Sequence, residues 1–164
     1  MIGDGAAMDE LQMEKALWED LQKILDLQYL AYQSEARLLN NYNIPPLKQT
    51  LAEMQQEYKQ GLILKLITQD GEIIGSVRAH EQAGSVYVGK LMVRPEYQRQ
   101  GWGSRLLLAV EKTIPASRYE LFTSSKSAQN LYLYQKAGYK IFDEKQIDAA
   151  LTLIYLEKQS YRCF

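Results

Sequence analysis

Residues 85–104 read SVYVGKLMVRPEYQRQGWGS, and the passage turns from one kind of structure to another. SVYVGKLMV (85–93) is an apolar run with the length and branching of a strand. GSRLLLAVEKTI (103–114) carries Leu106, Leu107 and Val110 on one helical face and stops at Pro115. Between them stand Gly101 and Gly103, separated by a single residue. A turn needs one glycine at most, so two imply that something approaches the backbone closely. A helix that starts where a strand ends offers unpaired N–H groups and the positive end of its dipole. A pyrophosphate can press against such amides where no Cβ intervenes. On that reading Gln98 to Ser104 work through their backbone and Arg99 adds charge. The pattern alone equally permits a glycine-bearing turn that only packs. It lacks the G-x-G-x-x-G spacing of a dinucleotide fold, and no Gly-Lys-Ser/Thr of a P-loop occurs.

Working outward, the flanks supply the rest of a sheet and its helices. LQMEKA (11–16) reads as a short strand. Leu21, Ile24, Leu25, Leu27, Leu30, Ala31 and Leu38 recur near a period of 3.6, predicting one long helix from Trp18 to the asparagines of NNYN (40–43). Pro45-Pro46 then opens a second helix, with Leu47, Leu51, Met54 and Tyr58 as its buried stripe. LILKLIT (62–68) and IIGSVRAH (73–80) are strands joined at QDGE (69–72) by a two-residue Asp-Gly hairpin turn. EQAG turns again into the strand 85–93. Downstream come a strand RYELFT (118–123) and a helix SAQNLYLYQKA (127–137) closed by Gly138. YKIF (139–142) and ALTLIYLEK (150–158) end the pattern as strands. The order is β-α-α-β-β-β-α-β-α-β-β. That is an α/β (mixed α+β) fold: one mixed, mostly antiparallel sheet with helices on both faces.

The totals narrow the function. A chain of 164 residues with 19 Lys and Arg against 20 Asp and Glu has no basic surplus for a phosphate backbone, so nucleic acid is not the expected partner. No apolar stretch is long enough to span a bilayer and no signal peptide opens the chain, so no membrane partner is expected. One cysteine, Cys163, and one histidine, His80, cannot assemble a Cys/His metal cluster, and a reducing cytoplasm is the expected setting. Residues 1–8, small and patternless, are expected to be a disordered terminus or an expression remnant. Residues 9–164 then form one domain.

Two stretches taken together, LMVRPEYQRQGWGSRLL (91–107) and SAQNLYLYQKAGY (127–139), resemble the GNAT family of N-acetyltransferases. The element order matches that fold over residues 11–158. The resemblance implies acetyl-CoA as cofactor and an amine as acceptor. It implies that Leu91, Met92 and Val93 bond the pantetheine arm through their backbone. Gln98, Arg99, Gln100, Gly101, Trp102, Gly103 and Ser104 would hold the pyrophosphate, and Asn130 would contact the cofactor. The sheet of the family splays between strands 85–93 and 118–123, with the cofactor in the gap. Tyr134, at the family's tyrosine position beside the sulfur, would protonate the leaving thiolate. Tyr132 and Tyr139 read instead as core aromatics with surface hydroxyls.

Acetyl transfer to an amine requires a neutral nitrogen. A lysine-like amine of pKa ~10.4 is neutral in only about one molecule in 10³ at neutral pH, so a base or a desolvated pocket must help. The amide of Met92 is the expected donor to the oxygen that gains charge. Members of the family often carry Glu or His on the strand before the L-x-V; here those positions are Tyr87 and Gly89, and neither is a ready base. Glu35, His80 and Glu81 are substitutes, each also readable as a surface group. AYQSEARLLNNYNIPPL (31–47) forms the expected acceptor wall. There Tyr32, Glu35 and Tyr42 suit a cationic amine or simply face solvent. A small-molecule amine is the preferred acceptor; the alternatives are a protein N-terminus or lysine as acceptor, or a CoA-binding regulatory module without catalysis. Tyr155 on the last strand belongs either to the core or to a homodimer contact.

Overall fold

A computed structural model describes residues 11–160; the expectations for the N-terminus and for Cys163 concern residues outside that range. Seven strands form one sheet in the order β1-β2-β3-β4-β5-β7-β6. They are β1 (Gln12–Lys15), β2 (Leu62–Ile67), β3 (Ile73–Gln82), β4 (Ser85–Val93), β5 (Arg118–Ser124), β6 (Lys140–Gln146) and β7 (Thr152–Gln159). Every neighbouring pair is antiparallel except β4 and β5. The helices are α1 (Leu21–Ala31), α2 (Gln33–Leu39), α3 (Pro45–Lys48), α4 (Leu51–Gln60), α5 (Trp102–Thr113) and α6 (Ala128–Lys136).

The helices cover both faces of the sheet. Leu21, Ile24, Leu25 and Leu27 of α1 and Met54 of α4 meet Ile63, Ile73 and Met92 on one face. On the other, Leu106, Leu107 and Val110 of α5 and Tyr134 of α6 pack on Leu64, Val77, Val86 and Val88. Burial of these apolar side chains is the main term holding helices to sheet. Tyr139 is core, as expected, but its hydroxyl is buried too and donates to Glu111 Oε2 at 3.3 Å. Tyr132 is a surface ring, 68% exposed. Tyr155 is half-buried and stacks its edge near Phe122 and Phe142, with centroids 5.6 and 6.3 Å away.

Several elements depart from the sequence reading, each for a local reason. The long first helix is divided. Trp18–Asp20 is a 3₁₀ turn, and Tyr32, at φ −83° and ψ 1°, separates α1 from α2. Just beyond that point Ser34 Oγ donates to the carbonyl of Ala31 at 3.2 Å, a side-chain bond of the kind that bends helices. The proline helix lasts one turn. Gln49 returns to extended backbone, and Thr50 starts α4 anew with a capping box. Thr50 Oγ1 accepts from the amide of Glu53 at 3.2 Å, and Glu53 Oε1 accepts from the amide of Thr50 at 2.9 Å.

The Asp70-Gly71 turn has three residues rather than two. Thr68 N–H donates to Glu72 C=O at 3.0 Å, and only Gly71 (φ 85°) is left-handed, where a two-residue turn of that type needs both. The next turn does have both, at Ala83 and Gly84. Strand β6 runs four residues past YKIF; its sequence, KIFDEKQ, is exposed throughout, and pairing with β7 holds it rather than burial.

Candidate active site

Strand β4 is the spine of the site. It pairs with β5 only from Ser85 to Tyr87, opposite Arg118 to Glu120, and beyond Tyr87 the two strands part. On its other edge β4 stays paired with β3 to Val93, through a bulge that places Lys90 at φ 51°. The parting leaves one edge of β4 open over residues 88–93. Arg94 N–H donates to Ile74 C=O at 2.8 Å. Antiparallel ladders alternate every residue, so the amide of Met92 is turned the same way, toward β3. The backbone groups of Leu91 and Val93 therefore face the gap, and the amide of Met92, the expected oxyanion donor, does not. The Met92 side chain is buried under α1 and α4.

The loop after β4 has the geometry of an anion cradle. Arg99 (φ 61°) and Gly101 (φ 88°) are both left-handed, and Gly101 is the N-cap of α5. No side chain caps this helix, and the first helical bond, Arg105 N–H to Gly101 C=O, leaves the amides of Trp102, Gly103 and Ser104 without a helical acceptor. A Cβ on Gly101 would meet nothing within 4 Å, so the space in front of these amides is open. At Gly103 the space is filled: a Cβ there would lie 3.1 Å from Leu133 Cδ2, so this glycine lets α5 close on α6. Packing therefore accounts for the glycine at 103 and not for the one at 101. Gln98 Nε2 donates back to Val93 C=O at 2.8 Å and latches the loop to the strand end. Trp102 is buried in the core under Arg105, whose guanidinium lies 4.6 Å from its ring, so only its amide can reach a ligand. Arg99 and Gln100 are exposed and Ser104 is half-buried.

Across the gap, α6 carries Asn130 and Tyr134 one turn apart on one face. Asn130 Nδ2 donates to Thr123 Oγ1 of β5 at 3.3 Å. Tyr134 is buried, and among the described residues no group hydrogen-bonds its hydroxyl. Burial, then Tyr32 and the Glu35 carboxylate, push its phenol far above the usual range. The same neighbours appear at Tyr32, which burial and Glu35 raise to about 12 against the opposing charge of Arg78. Burial raises Glu35 itself. Tyr32 and Glu35, which flank the bend between α1 and α2, thus act electrostatically on the phenol of α6.

Behind them lies a polar cluster that the sequence did not disclose. Arg78 of β3 is 6% exposed. It donates to Gln28 Oε1, to Gln49 Oε1 at 2.9 Å and to Glu57 Oε2 at 2.6 Å. Gln28 in turn donates to Pro46 C=O at 2.7 Å and Gln49 Oε1 at 3.0 Å. The extended residue between α3 and α4 is what presents Gln49. Lys90, half-buried at the bulge, is lowered by desolvation and by Arg78, with Glu57 opposing. The only sequence signal of this cluster was a charged residue inside each of two apolar strands, Arg78 and Lys90. The substitute bases fare unequally: His80 and Glu81 are exposed near the far end of β3, with His80 stacked on Tyr87 at 5.4 Å, whereas Glu35 is at the gap. Tyr42 is exposed at 54%.

Known proteins share this fold. The family model of the GNAT acetyltransferase domain matches residues 32–160. No curated protein sequence matches the chain. Among solved structures, the PaiA N-acetyltransferase of Thermoplasma acidophilum in complex with coenzyme A superposes with a TM-score of 0.78 at 19% identity, over 92% of this chain and 99% of that one. The yncA structure from Salmonella typhimurium with its cofactor acetyl-CoA gives 0.70 at 14% identity, over 91% and 93%. A chimera of the spermidine N-acetyltransferase SpeG of Vibrio cholerae gives 0.68 at 16%, over 92% and 95%. Among the described residues, no helix is long and apolar enough to cross a membrane. The chain belongs to the GNAT acetyltransferase family, whose acyl donor is acetyl-CoA.

Proposed function

We propose that this acetyltransferase passes the acetyl group directly to the primary amine of a small molecule, which enters against the bend between α1 and α2. The observation that carries the reading is that β4 and β5 part beyond Tyr87 while Glu35, half-buried at that bend, raises the phenols of both Tyr32 and Tyr134. A half-buried carboxylate beside a phenol ring suits an ammonium group by charge and by cation–π contact. Bound acetyl-CoA supplies the activated acyl carbon and a thiolate leaving group. The open amides of Trp102, Gly103 and Ser104, with Arg99, would hold its pyrophosphate. Backbone groups of Leu91 and Val93 orient its pantetheine arm and offer an N–H to the oxygen that gains charge. Asn130 fixes the start of α6 against β5 and faces the same opening. Tyr134, whose phenol burial favours in its protonated form, would give that proton to the departing sulfur. Direct transfer needs no enzyme nucleophile.

The test is a transfer assay with acetyl-CoA against polyamines, aminoalkyl compounds and amino acids, with a peptide bearing a free N-terminus and a lysine alongside. Turnover on a small amine at least tenfold above the peptide is expected. A preference for the peptide would overturn the acceptor class. Tyr134→Phe should lower kcat by about 10²-fold with acetyl-CoA affinity retained.

A further inference from the structure

A row of aromatic rings crosses one face of the sheet, and it begins at the opening. Tyr119, Leu121, Ile154 and Leu156 belong to the core under α5 and α6, so Phe122 and Tyr155 stand on the opposite face. That is the face on which α1 and α4 pack against β2, β3 and β4. Tyr87 lies on it too, between the core residues Val86 and Val88, and pairs with Glu120. This pair is the last of the β4–β5 ladder. Phe122 is therefore the first β5 residue on this face beyond it, and Gly89 is its counterpart on β4. A Cβ on Gly89 would meet nothing within 4 Å, and the Phe122 ring is 53% exposed. Phe122 pairs directly with Tyr155, their rings 5.6 Å apart, and Tyr155 pairs with Asp143, beside Phe142. The far end of the row has partners: the Arg118 guanidinium lies 5.1 Å from the Phe142 ring, and Lys145 Nζ lies 5.5 Å from the Tyr155 ring. Among the described residues Phe122 has no cation of its own. Leu151, in the turn between β6 and β7, packs on the cluster of Ala36, Leu39 and Ile44, as does Tyr32. The proposed acceptor wall is thereby anchored to the strand that carries Tyr155.

We propose that Phe122, backed by Tyr155, is the surface that selects the acceptor, and that it receives an aromatic ring joined to the acceptor's primary amine by a short alkyl chain. The proposal deepens the acceptor reading above and rests on it. An exposed ring keeps apolar surface in water, and a ligand ring laid against it removes that surface from both. The missing side chain at Gly89 leaves room for such a ring beside Phe122. Leu91, whose backbone faces the gap that takes the acyl donor, is two residues beyond Gly89, roughly 6–7 Å at the rise of a strand. A ring at the level of Phe122 and an amine at the level of Leu91 are therefore one short chain apart. A second ammonium, as in a polyamine, is poorly served here. Glu120 and Glu157, the carboxylates of β5 and β7 on this face, both pair with Arg118, at 2.8 and 2.9 Å. The row thus favours an aromatic monoamine.

The experiment measures kcat/KM with acetyl-CoA for 2-phenylethylamine, ethylamine and spermidine in wild type, Phe122→Ala and Gly89→Val. In wild type the phenyl compound should exceed each of the others by about tenfold or more. Phe122→Ala should erase most of its advantage over ethylamine, through KM rather than kcat. Gly89→Val, whose added side chain has open space to enter, should do the same by filling the room beside the ring. Retained acetyl-CoA affinity in calorimetry shows that each variant is folded. Turnover on small amines without a preference for the ring, or with a preference that Phe122→Ala keeps, overturns the proposal and leaves the small-amine acceptor standing. A wild-type dimer that Phe122→Ala dissociates in sedimentation, with the preference intact, would assign the row to a second copy of the chain and equally overturn it. An absence of wild-type turnover on any small amine sinks the acceptor reading, and selection by Phe122 with it.

Discussion

The two sides of β4 solve the problem of binding by different means. On the proposed cofactor side the groups on offer are main chain: two left-handed residues, an uncapped helix start and an open strand edge. On the proposed acceptor side they are side chains drawn from α1, the α1–α2 bend, the α3–α4 joint and β3. A main-chain site depends on what is absent, namely Cβ atoms and hydrogen-bond acceptors. A side-chain site depends on distant residues arriving together. The first tolerates any sequence that keeps its backbone shape, and the second changes with each substitution. One framework can thus keep its donor while its acceptor varies.

The sharpest way to break this contrast is at Gly101. Gly101→Glu places a side chain and a negative charge in front of the free amides and strains a φ of 88°. Acetyl-CoA affinity should fall by about 10²- to 10³-fold in calorimetry. Stability should drop by only ~1–2 kcal/mol, because the added Cβ has no neighbour within 4 Å. Comparable unfolding and affinity losses would mean that Gly101 packs rather than binds. The converse change is Arg78→Leu. Glu57 is well exposed and regains water, but Gln28, fully buried, loses its acceptor bond, so the loss should be about 2 kcal/mol in chemical denaturation. Acetyl-CoA affinity should stay within a few-fold, and a collapse of both would show the two sides to be one unit. Smallest is Thr50→Ala, which removes the cap of α4 behind Gln49. About 1 kcal/mol of stability should go, and KM for the acceptor should rise while acetyl-CoA affinity holds.

The same contrast explains what the sequence disclosed. The strand-to-helix loop proposed to hold the cofactor was legible because its shape is local: glycines at Gly101 and Gly103 between a strand and a helix can be read without knowing what lies nearby. Even there the individual roles were not. Gly103 answers to Leu133 on α6, and the direction of the Met92 amide is fixed by β3, which no reading of 85–104 contains. The acceptor cluster was illegible because Gln28, Gln49, Glu57 and Arg78 are polar residues scattered over fifty positions, and only the tertiary fold makes them a network. Helix boundaries failed on single side chains. Ser34 and Thr50 outweighed a hydrophobic period that runs unbroken across both sites, and the T-x-x-E box at 50–53 was a signal present but not used. The far edge, β6, has no apolar alternation to read; its existence depends on β7.

Because β4 and β5 share only three paired positions, the seven-stranded sheet is two sheets joined by a short zip. Its halves, four strands and three, are held together on one side by α5 and α6 and across the opening by whatever fills it. Such a molecule's cohesion is set partly by its surroundings: a donor present at a hundred times its dissociation constant adds about 2.7 kcal/mol to the folded state. The abundance of intact protein in a cell would then follow the supply of acyl donor, so that the resource the enzyme consumes also governs how long it survives.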